Sequence, residues 1–449
     1  MNSIIQYLNR EGYKVPSSGY YSYIDLWLRW YQGKTGFHSY RVYNGSKHVD
    51  RTRKTMGMAK RIPEDWANLL LNEKVEIVTS EENQQVINDV LAANNFRVRG
   101  NQLVELAFAL GTGAFVETLD KDGNVDIDYI RASMIFPLTY KNGEITECAF
   151  ASEHQEDNEQ FIYLSIHRLN ETGNYVIDNA YFKRQNDHIS QVDLPEGVEE
   201  TVETHSNVPL FQIIKPNIVN NVELDNPMGI SVYANSIDQL EGVDLAYDSY
   251  CNEFKMGKKR IIVPVKMARM EMDSEGITKP VFDYNDTEFY AVSGVDEGMG
   301  IKEIDLAIRS ADHEAGLKTM LNSLAKSCGL GDTYYDYQSS GVKTAKEVVS
   351  EKSDLFQNKK KHELILEQAI KGMVVAIGAI MGRTIDPNDV AVNFDDSIIE
   401  DVGAEKERFL AEIRDGVRQK WEYRVKFFGE TEEEAKNRIA TETTGWFEE

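Results

Sequence analysis

The fold of this chain is decided by a stretch that reads SSGVKTAKEVVSE, residues 339–351, after which no proline follows until Pro387. Thr344 and Glu347 have the spacing of a capping box, in which a hydroxyl and a carboxylate satisfy unpaired N–H groups at a helix start. We predict a helix over residues 344–381, about 55 Å long at ~1.5 Å per residue. A helix several times longer than the globular average usually extends beyond its own domain. Its apolar residues recur at helical spacing: Ala345, Val348, Leu355, Leu366, Ile370, Met373, Val374, Ile377 and Ile380.

The residues before this stretch predict two helices with short strands between them. An apolar stripe that starts at Ile237 predicts a helix ending at Gly257. Residues 261–265, IIVPV, predict a strand whose proline places it at a sheet edge or at a strand end. Further short strands are expected around Val281 and over residues 289–292.

The second of these helices is expected from Ala311 to Cys328, where the glycine-bearing residues 329–331 stop it. A tyrosine-rich loop, residues 332–342, then leads into the long helix. The order is therefore helix, small β insert, helix, loop and very long helix.

Two different periodicities divide the first half of the chain. Residues 1–110 predict mainly helices, and Pro63 is expected to begin one of them because proline is accepted at a first helical position. Residues 112–214 alternate like antiparallel strands, with Asp122-Gly123 as a hairpin signal. The acidic residues 196–203 are expected to form a solvated loop.

The end of the chain, from about residue 385, is acidic and carries less pattern. Residues 404–427 predict one helix, and residues 432–440 predict a short one.

The charge balance narrows the classes of function. Lys and Arg total 49 against 74 Asp and Glu in 449 residues, a formal net charge of −25. Such a chain is a poor candidate for gripping nucleic acid over its whole surface, but it suits a surface to which DNA should not adhere. Hydrophobic residues make up 41% of the chain, which is enough to build large cores.

Cysteine usage and hydropathy point to a soluble protein that is cytoplasmic at synthesis. The three cysteines (Cys148, Cys251 and Cys328) are odd in number and far apart, so reduced thiols are expected rather than disulfides. The first residues lack the basic and apolar regions of a signal peptide. The most apolar run, residues 373–381, is about half the ~20 residues that span a membrane.

The chemical motifs argue against an enzyme. The eight histidines are dispersed without metal-ligand spacing, so no metal and no cofactor are expected. A phosphate loop ending at Lys343-Thr344 is excluded because Val342 and Tyr337 stand where it needs glycines. Residues 111–113 precede a strand pattern instead of a helix, so a dinucleotide fingerprint fails as well. No catalytic residue is therefore predicted.

The order of elements, together with six local motifs, resembles the portal proteins of tailed bacteriophages, in particular long-tailed phages of Gram-positive hosts. The resemblance covers nearly the whole chain. No single motif is specific to these proteins, but the order of the six motifs is. The motifs are WLRWYQG (residues 27–33, with His38 beyond), MAKRI (58–62), DWANLL (65–70), GTGA (111–114), KKRIIVP (258–264) and KTAKEV (343–348).

The resemblance implies an α+β fold and a structural role. Such proteins form a homo-oligomeric ring, usually of twelve copies, at one capsid vertex, and double-stranded DNA passes through its channel without sequence specificity. The implied partners are the terminase large subunit, a head-tail adaptor, and the major capsid and scaffolding proteins. The implied parts are a mixed wing (residues 1–226), a descending stem helix (227–260), a small β clip (261–305), an ascending stem helix (306–331), a tunnel loop (332–343), a long wing helix (344–384) and a short helical crown (385–449).

Two sets of residues become candidates for proximity to DNA. Packing against the wing helix explains the tunnel-loop tyrosines as well as contact with DNA does. Compensation of a helix dipole likewise explains the basic band. Lys359, Lys360 and Lys361 are expected on a solvated helix face or against acidic residues of a neighbouring subunit. The tunnel-loop candidates are Asp332, Tyr334, Tyr335, Tyr337, Ser339, Ser340, Gly341 and Lys343, and the basic band comprises Lys255, Lys258, Lys259 and Arg260.

Two other classes of function stay open at the level of sequence. One is another capsid-associated protein, such as a minor head or head-completion protein, which would not need two helices flanking a β insert. The other is a hydrolase with two carboxylates, which requires a deep acidic cleft.

Overall fold

Residues 2–110 form five helices around one apolar core, as the sequence predicts. The helices are α1 (Asn2–Arg10), α2 (Tyr20–Tyr31), α3 (Met58–Leu70), α4 (Glu81–Ala93) and α5 (Phe96–Leu110). Trp27, Trp66 and Phe108 are buried at their centre. The computed structural model describes residues 2–15, 19–120, 122–185, 188–258, 260–264, 270–272, 276, 278–280, 288–292, 302–336, 353–394, 409–428, 431–432, 435–436 and 438–439.

The prediction that Pro63 begins a helix is wrong. Pro63 lies inside α3, which starts at Met58 after Gly57 in the left-handed conformation (φ 72°). The missing N–H of Pro63 leaves one carbonyl of the first turns without an intrahelical donor. The apolar face that contains Ala59, Ile62 and Trp66 is buried and offsets this loss.

A two-stranded hairpin interrupts the helical region and was not predicted. Strands β1 (Ser39–Tyr43) and β2 (His48–Thr52) pair antiparallel, with Val42 opposite Val49. The turn contains Asn44-Gly45, a hairpin signal in a stretch too polar to suggest a core strand.

The antiparallel β region is confirmed and forms two sheets. A three-stranded sheet has the order β12-β4-β5, and a six-stranded sheet has the order β10-β9-β8-β7-β6, with β11 paired to β9. The strands are β4 (Gly113–Leu119), β5 (Val125–Arg131), β6 (Ile135–Lys141), β7 (Glu144–Glu156), β8 (Glu159–Leu169), β9 (Tyr175–Gln185), β10 (His188–Val192), β11 (Thr201–Glu203) and β12 (Phe211–Ile214).

The acidic residues 196–203 are exposed as predicted, but they are not all loop. Thr201–Glu203 is β11, which pairs with β9 although each of its residues is exposed. The ladder hydrogen bonds join backbone groups, so exposed acidic side chains do not prevent pairing.

The surroundings of Gly111 explain why the GTGA motif requires small side chains. Gly111 ends α5 with φ 90°, and a Cβ at this position would lie 2.2 Å from the carbonyl oxygen of Gly229. The Thr112 hydroxyl accepts the N–H of Gly229 at 3.0 Å. The motif is therefore a close backbone approach between the end of α5 and the segment that leads to α6.

The two predicted helices and the strands between them are present. The helices are α6 (Ile237–Met256) and α7 (Ser310–Ser327). Strand β13 (Arg260–Pro264) lies between β16 (Glu288–Val292), which is parallel to it, and β17 (Lys302–Ile304), which is antiparallel. A second pair joins β14 (Met270–Met272) and β15 (Thr278–Pro280). The strand expected around Val281 lies largely outside the described residues.

The described part of the long helix, α8 (Ser353–Ile380), runs without interruption and packs against β12 and β4. The predicted capping box at Thr344 and Glu347 lies outside the described residues. After α8, β18 (Ala391–Asn393) pairs with β3 (Glu76–Val78) and so joins the later part of the chain to its first helices.

The single helix predicted over residues 404–427 is wrong. Residues 409–414 are helical, and α9 (Lys420–Phe428) follows after a turn. Gly416, with φ 75°, lies in that turn and breaks the helix. None of the helices that the structure describes is long and apolar enough to cross a membrane.

Candidate stem and tunnel-loop site

Helices α6 and α7 form an antiparallel pair that is fixed at both ends. At one end, the hydroxyls of Ser236 and Ser327 lie 2.6 Å apart. At the other end, Arg309 donates to both carboxylate oxygens of Glu253, from Nε at 3.0 Å and from Nη2 at 2.9 Å. The start of each helix is therefore attached to the end of the other.

The Glu253–Arg309 end carries a denser set of contacts. His313 Nε2 lies 3.5 Å from Glu253 Oε2, and the His313 ring stacks on Tyr250 with centroids 5.5 Å apart. Side-chain and backbone hydrogen bonds from Arg309 lower the pKa of Glu253 to about 2. A Cβ at Gly257 would lie 2.8 Å from Ile308, so the chain passes close to α7 where it leaves α6.

This helix pair presents apolar side chains that the chain itself does not cover. Six are between 41 and 53% exposed, four of them on the helices and two in the segment just before α7. Large exposed apolar patches mark interaction surfaces. We call these residues the stem patch: Leu245, Phe254, Met256, Leu306, Ile308 and Met320.

The structure places the predicted basic band at the end of α6. Lys255 and Lys258 are exposed, and Arg260 is half-buried at the start of β13. Arg260 Nη2 lies 3.7 Å from the Met256 sulfur, while its buried Nε has no acceptor among the described residues. Lys259 lies outside the described residues. Cations at this position also compensate the α6 dipole.

The first part of the tunnel loop is attached to α3. Tyr335 is buried, and its hydroxyl donates to Asp65 Oδ2 at 2.8 Å. Arg61 holds the same carboxylate from the solvent side, with Nη2 2.9 Å from Asp65 Oδ1. Burial raises the pKa of the Tyr335 hydroxyl, which stays protonated and can donate. Tyr335 is therefore packed against α3, which is not the long helix that the sequence interpretation named.

The other described loop residues have different surroundings. Tyr334 is half-buried, with its ring edge-on to Tyr335 at 5.0 Å. Asp336 pairs with Lys318 of α7 at 2.7 Å. Asp332 is exposed. The remaining candidates, Tyr337, Ser339, Ser340, Gly341 and Lys343, lie outside the described residues.

The turn that precedes the loop is fixed from two more helices. Trp66 Nε1 of α3 donates to the carbonyl of Cys328 at 3.1 Å, and Asn358 of α8 donates to the carbonyl of Gly329 at 3.0 Å. Helices α3, α7 and α8 thus meet at the base of the loop.

The expectation that residues 359–361 form a solvated face is wrong for the first lysine. Lys359 is fully buried, and its ammonium lies 2.5 Å from the carboxylate of Glu363 on the same helix. Lys360 adds a second cation 3.1 Å from that carboxylate, and Lys361 is exposed. The sequence signal for this ion pair is a lysine four residues before a glutamate on a partly buried helix.

Sequence reasoning missed the carboxylates that join α6 to the N-terminal region. Asp244 accepts from the backbone N–H of Met56 at 2.8 Å and lies 2.8 Å from His38 Nε2. Asp248 accepts from the backbone N–H of Lys54 at 2.9 Å. Two carboxylates four residues apart within the apolar stripe of α6 were the available signal, because buried charges require partners.

The hydrolase alternative requires paired carboxylates in a cleft. A cavity of about 750 Å³ opens beside α4 and α5, and its lining is mainly apolar or amide, with Glu76 as its one carboxylate. Among the described residues, no group of three His, Cys, Asp or Glu side chains is arranged to hold a metal ion.

Comparison with known proteins bears on the whole chain. A family model described as phage portal protein, SPP1 Gp6-like, matches residues 18–443. No curated protein matches the chain. Among solved structures, a chain from the neck of a native GTA particle computed with C12 symmetry is 10% identical, with a TM-score of 0.45, and the match covers 90% of this chain and 92% of that one.

Proposed function

This chain belongs to the SPP1 Gp6-like family of phage portal proteins, whose model spans residues 18–443, and we propose that its copies close into a ring through which DNA passes. A portal protein occupies one vertex of the capsid. The ring is proposed to contain about twelve copies, as the resemblance implies, and a closed ring follows when one surface of each copy binds a different surface of the next.

The parts of the ring are proposed to follow the out-and-back path of the chain. The pair α6 and α7 suits the two stem helices, because the chain leaves one, forms β13 to β17, and returns into the other. The proposed parts are the wing (residues 1–226), descending stem (227–260), clip (261–305), ascending stem (306–331), tunnel loop (332–343), long wing helix (344–384) and crown (385–449).

The stem patch is the structural observation that most supports a ring. Four apolar side chains are exposed on a helix pair whose ends are joined by hydrogen bonds, and two more are exposed just before α7. Covering apolar surface stabilises by about 25 cal/mol per Å². Adjacent copies of the same pair, arranged around an axis, would cover one another's patches.

The charge of the chain suits a conduit. A formal net charge of −25 per copy repels the DNA polyanion and keeps it from adhering to the channel wall. The basic band at the end of α6 is proposed to lie near the DNA path and to slow its passage. The tunnel loop, attached at Tyr335, is proposed to present residues beyond 336 toward the DNA.

The remaining partners are proposed from the family. The clip is assigned to the terminase large subunit and the head-tail adaptor, and the outer wing to the major capsid and scaffolding proteins. The chain is proposed to act without catalysing a reaction.

Native mass spectrometry with electron-microscope class averages of the purified chain tests the ring. We expect closed rings of about twelve copies around a central hole. A compact monomer that persists at high protein concentration and with scaffolding protein added would contradict the proposal.

A further inference from the structure

The hairpin of β1 and β2 stands apart from the rest of the chain. Among the described elements, its strands make their substantial contacts with each other and with the single turn of residues 36–38. At five residues per strand it is about 17 Å long. A lone two-stranded hairpin is at best marginally stable in water, so an additional surface is expected to support it.

The base of the hairpin is held firmly, which gives it a fixed direction. The Arg53 guanidinium lies 4.5 Å from the Phe37 ring and 4.3 Å from the Tyr40 ring. The flanking residues His38 and Met56 are both bonded to Asp244 of α6. The hairpin is therefore anchored on the descending stem helix and free at its tip.

One face of the hairpin carries three apolar side chains and one basic one. Side chains alternate between the faces of a strand, so Tyr40, Val42, Val49 and Arg51 share one face. Val42 is 42% exposed, while Tyr40 and Val49 are half-buried. The opposite face carries the Arg41–Asp50 ion pair at 2.8 Å and the hydroxyl residue Thr52, and near the turn the exposed Tyr43 ring lies 5.3 Å from the ring of His48. The mainly apolar face suits contact with protein.

The charge of the hairpin is opposite to that of the chain. Residues 39–54 contain five basic side chains and one acidic one, within a chain whose formal net charge is −25. The exposed residues 196–203 show the kind of acidic surface that another copy offers. Phosphate contacts would use the basic side chains but leave the valine pair uncovered, so a protein partner fits better than DNA.

We propose that this hairpin is an arm that docks on a second copy of the chain. Tyr40, Val42 and Val49 cover apolar side chains of that copy, and the basic side chains, Arg51 among them, face its acidic ones. This inference rests on the proposed ring and deepens it. The arm makes a contact between subunits that is separate from the stem patch. Because its base is attached to α6, the contact also links the neighbouring copy to the stem helix from which the arm extends.

Site-specific crosslinking in the full chain tests the arm. A photoreactive benzoyl-phenylalanine in place of Val42 is expected to give a crosslinked dimer in purified rings, with the crosslinked peptide belonging to a second copy. Rings without this crosslink, a crosslink within the same copy, or a crosslink to DNA when rings are prepared with it would each overturn the arm while leaving the ring intact. Absence of rings in the unsubstituted chain would overturn both.

A pair of charge substitutions on the two faces provides a matched control. Val42→Asp is expected to raise the concentration at which rings dissociate by about tenfold, since it places a charge in the apolar contact. Thr52→Asp adds the same charge to the opposite face and is expected to change that concentration less than about twofold. Equal effects of the two substitutions, with unchanged circular dichroism, would contradict docking through the valine face.

Discussion

The wing and the stem bury their apolar side chains in different ways. In the wing, Phe136, Phe150 and Phe182 are within 2% of full burial inside a single chain. In the stem, Leu245 and Met320 are about half exposed although they lie on well-formed helices. The wing therefore has a core of its own. In the stem, Leu240 and Leu324 are buried within the same chain, and we propose that the exposed side chains Leu245 and Met320 are covered by neighbouring copies.

This difference separates the stability of each folded chain from the stability of the assembled ring. Contacts inside one chain stabilise it independently of concentration, whereas contacts between copies depend on concentration. Substitutions in the wing should change the unfolding of each copy, and substitutions in the stem should change assembly.

The largest effect is expected from a charge in the stem patch. Leu245→Glu should abolish closed rings while leaving the unfolding temperature of the monomer within about 2 °C, because exposed positions contribute little to folding. Native mass spectrometry gives the copy number, and circular dichroism gives the unfolding temperature.

Leu119 provides the control for that substitution. It is 58% exposed at the end of β4, in the wing, and Leu119→Glu adds the same charge there. Rings should survive this change. Loss of rings in both variants, or in neither, would break the distinction between wing and stem.

A cavity in the wing should have the opposite signature. Phe150 is buried against Phe211 and His167, with ring centroids 5.2 and 5.4 Å apart. Phe150→Ala should lower the free energy of unfolding by about 3–5 kcal/mol, because a large buried ring leaves a cavity. Urea denaturation at two protein concentrations checks this, and a loss that depends on concentration would contradict an independent wing core.

The same difference explains what the sequence predicts well. Strands β8 and β9 were predicted from alternating residues and the turn between them, although the centre of each strand is buried on both faces. Helices α6 and α7 follow from their inner apolar stripes. Hairpin β1–β2 was missed because its valines have no core in this chain. Pro63 was misplaced because packing of Ile62 and Trp66 outweighs a local signal.

The sequence named candidate site residues but not their contacts. The motif KKRIIVP led to the basic band and the loop before the long helix led to the tunnel loop, and both assignments stay predictions. The bond between Tyr335 and Asp65 joins residues 270 positions apart, which no local pattern reveals. The burial of Lys359 likewise depends on how α8 packs in the wing.

Removal of the Tyr335–Asp65 hydrogen bond should weaken the connection between the wing and the tunnel loop, and this effect should be smaller than that of the Phe150 cavity. Tyr335→Phe leaves the ring in place and removes the donor to Asp65, so we expect a loss of about 1.5–3 kcal/mol, as for a hydrogen bond to a charged group. Chemical denaturation measures the loss. Tyr334→Phe, at the neighbouring half-buried ring, is the matched control and should cost less. Unchanged stability in Tyr335→Phe would show that Arg61 alone satisfies Asp65.

The smallest effect on ring assembly is expected from the titration of a buried carboxyl group inside the wing. Glu117 is fully buried, neither carboxylate oxygen has a partner among the described residues, and burial raises its pKa from 4.5 to about 8. The folded chain therefore keeps a proton that the unfolded chain loses above pH 4.5, so this group's contribution to stability falls as the pH rises from 4.5 to about 8. Buried His167, whose pKa burial lowers to about 3, acts in the opposite sense, since its contribution is lost as the pH falls below 6.5.

Glu117→Gln removes this titration while keeping the shape of the side chain. The free energy of unfolding of the variant, relative to the unsubstituted chain, should increase between pH 5 and pH 8, by at most about 1.4 kcal/mol per pH unit. Urea titrations at a series of pH values measure the difference. Because Glu117 lies in a core that a single chain completes, the increase should be the same for monomers and for rings. A pH dependence that disappears on assembly would mean that a neighbouring copy changes the surroundings of Glu117, and the wing would then depend on its neighbours as the stem does.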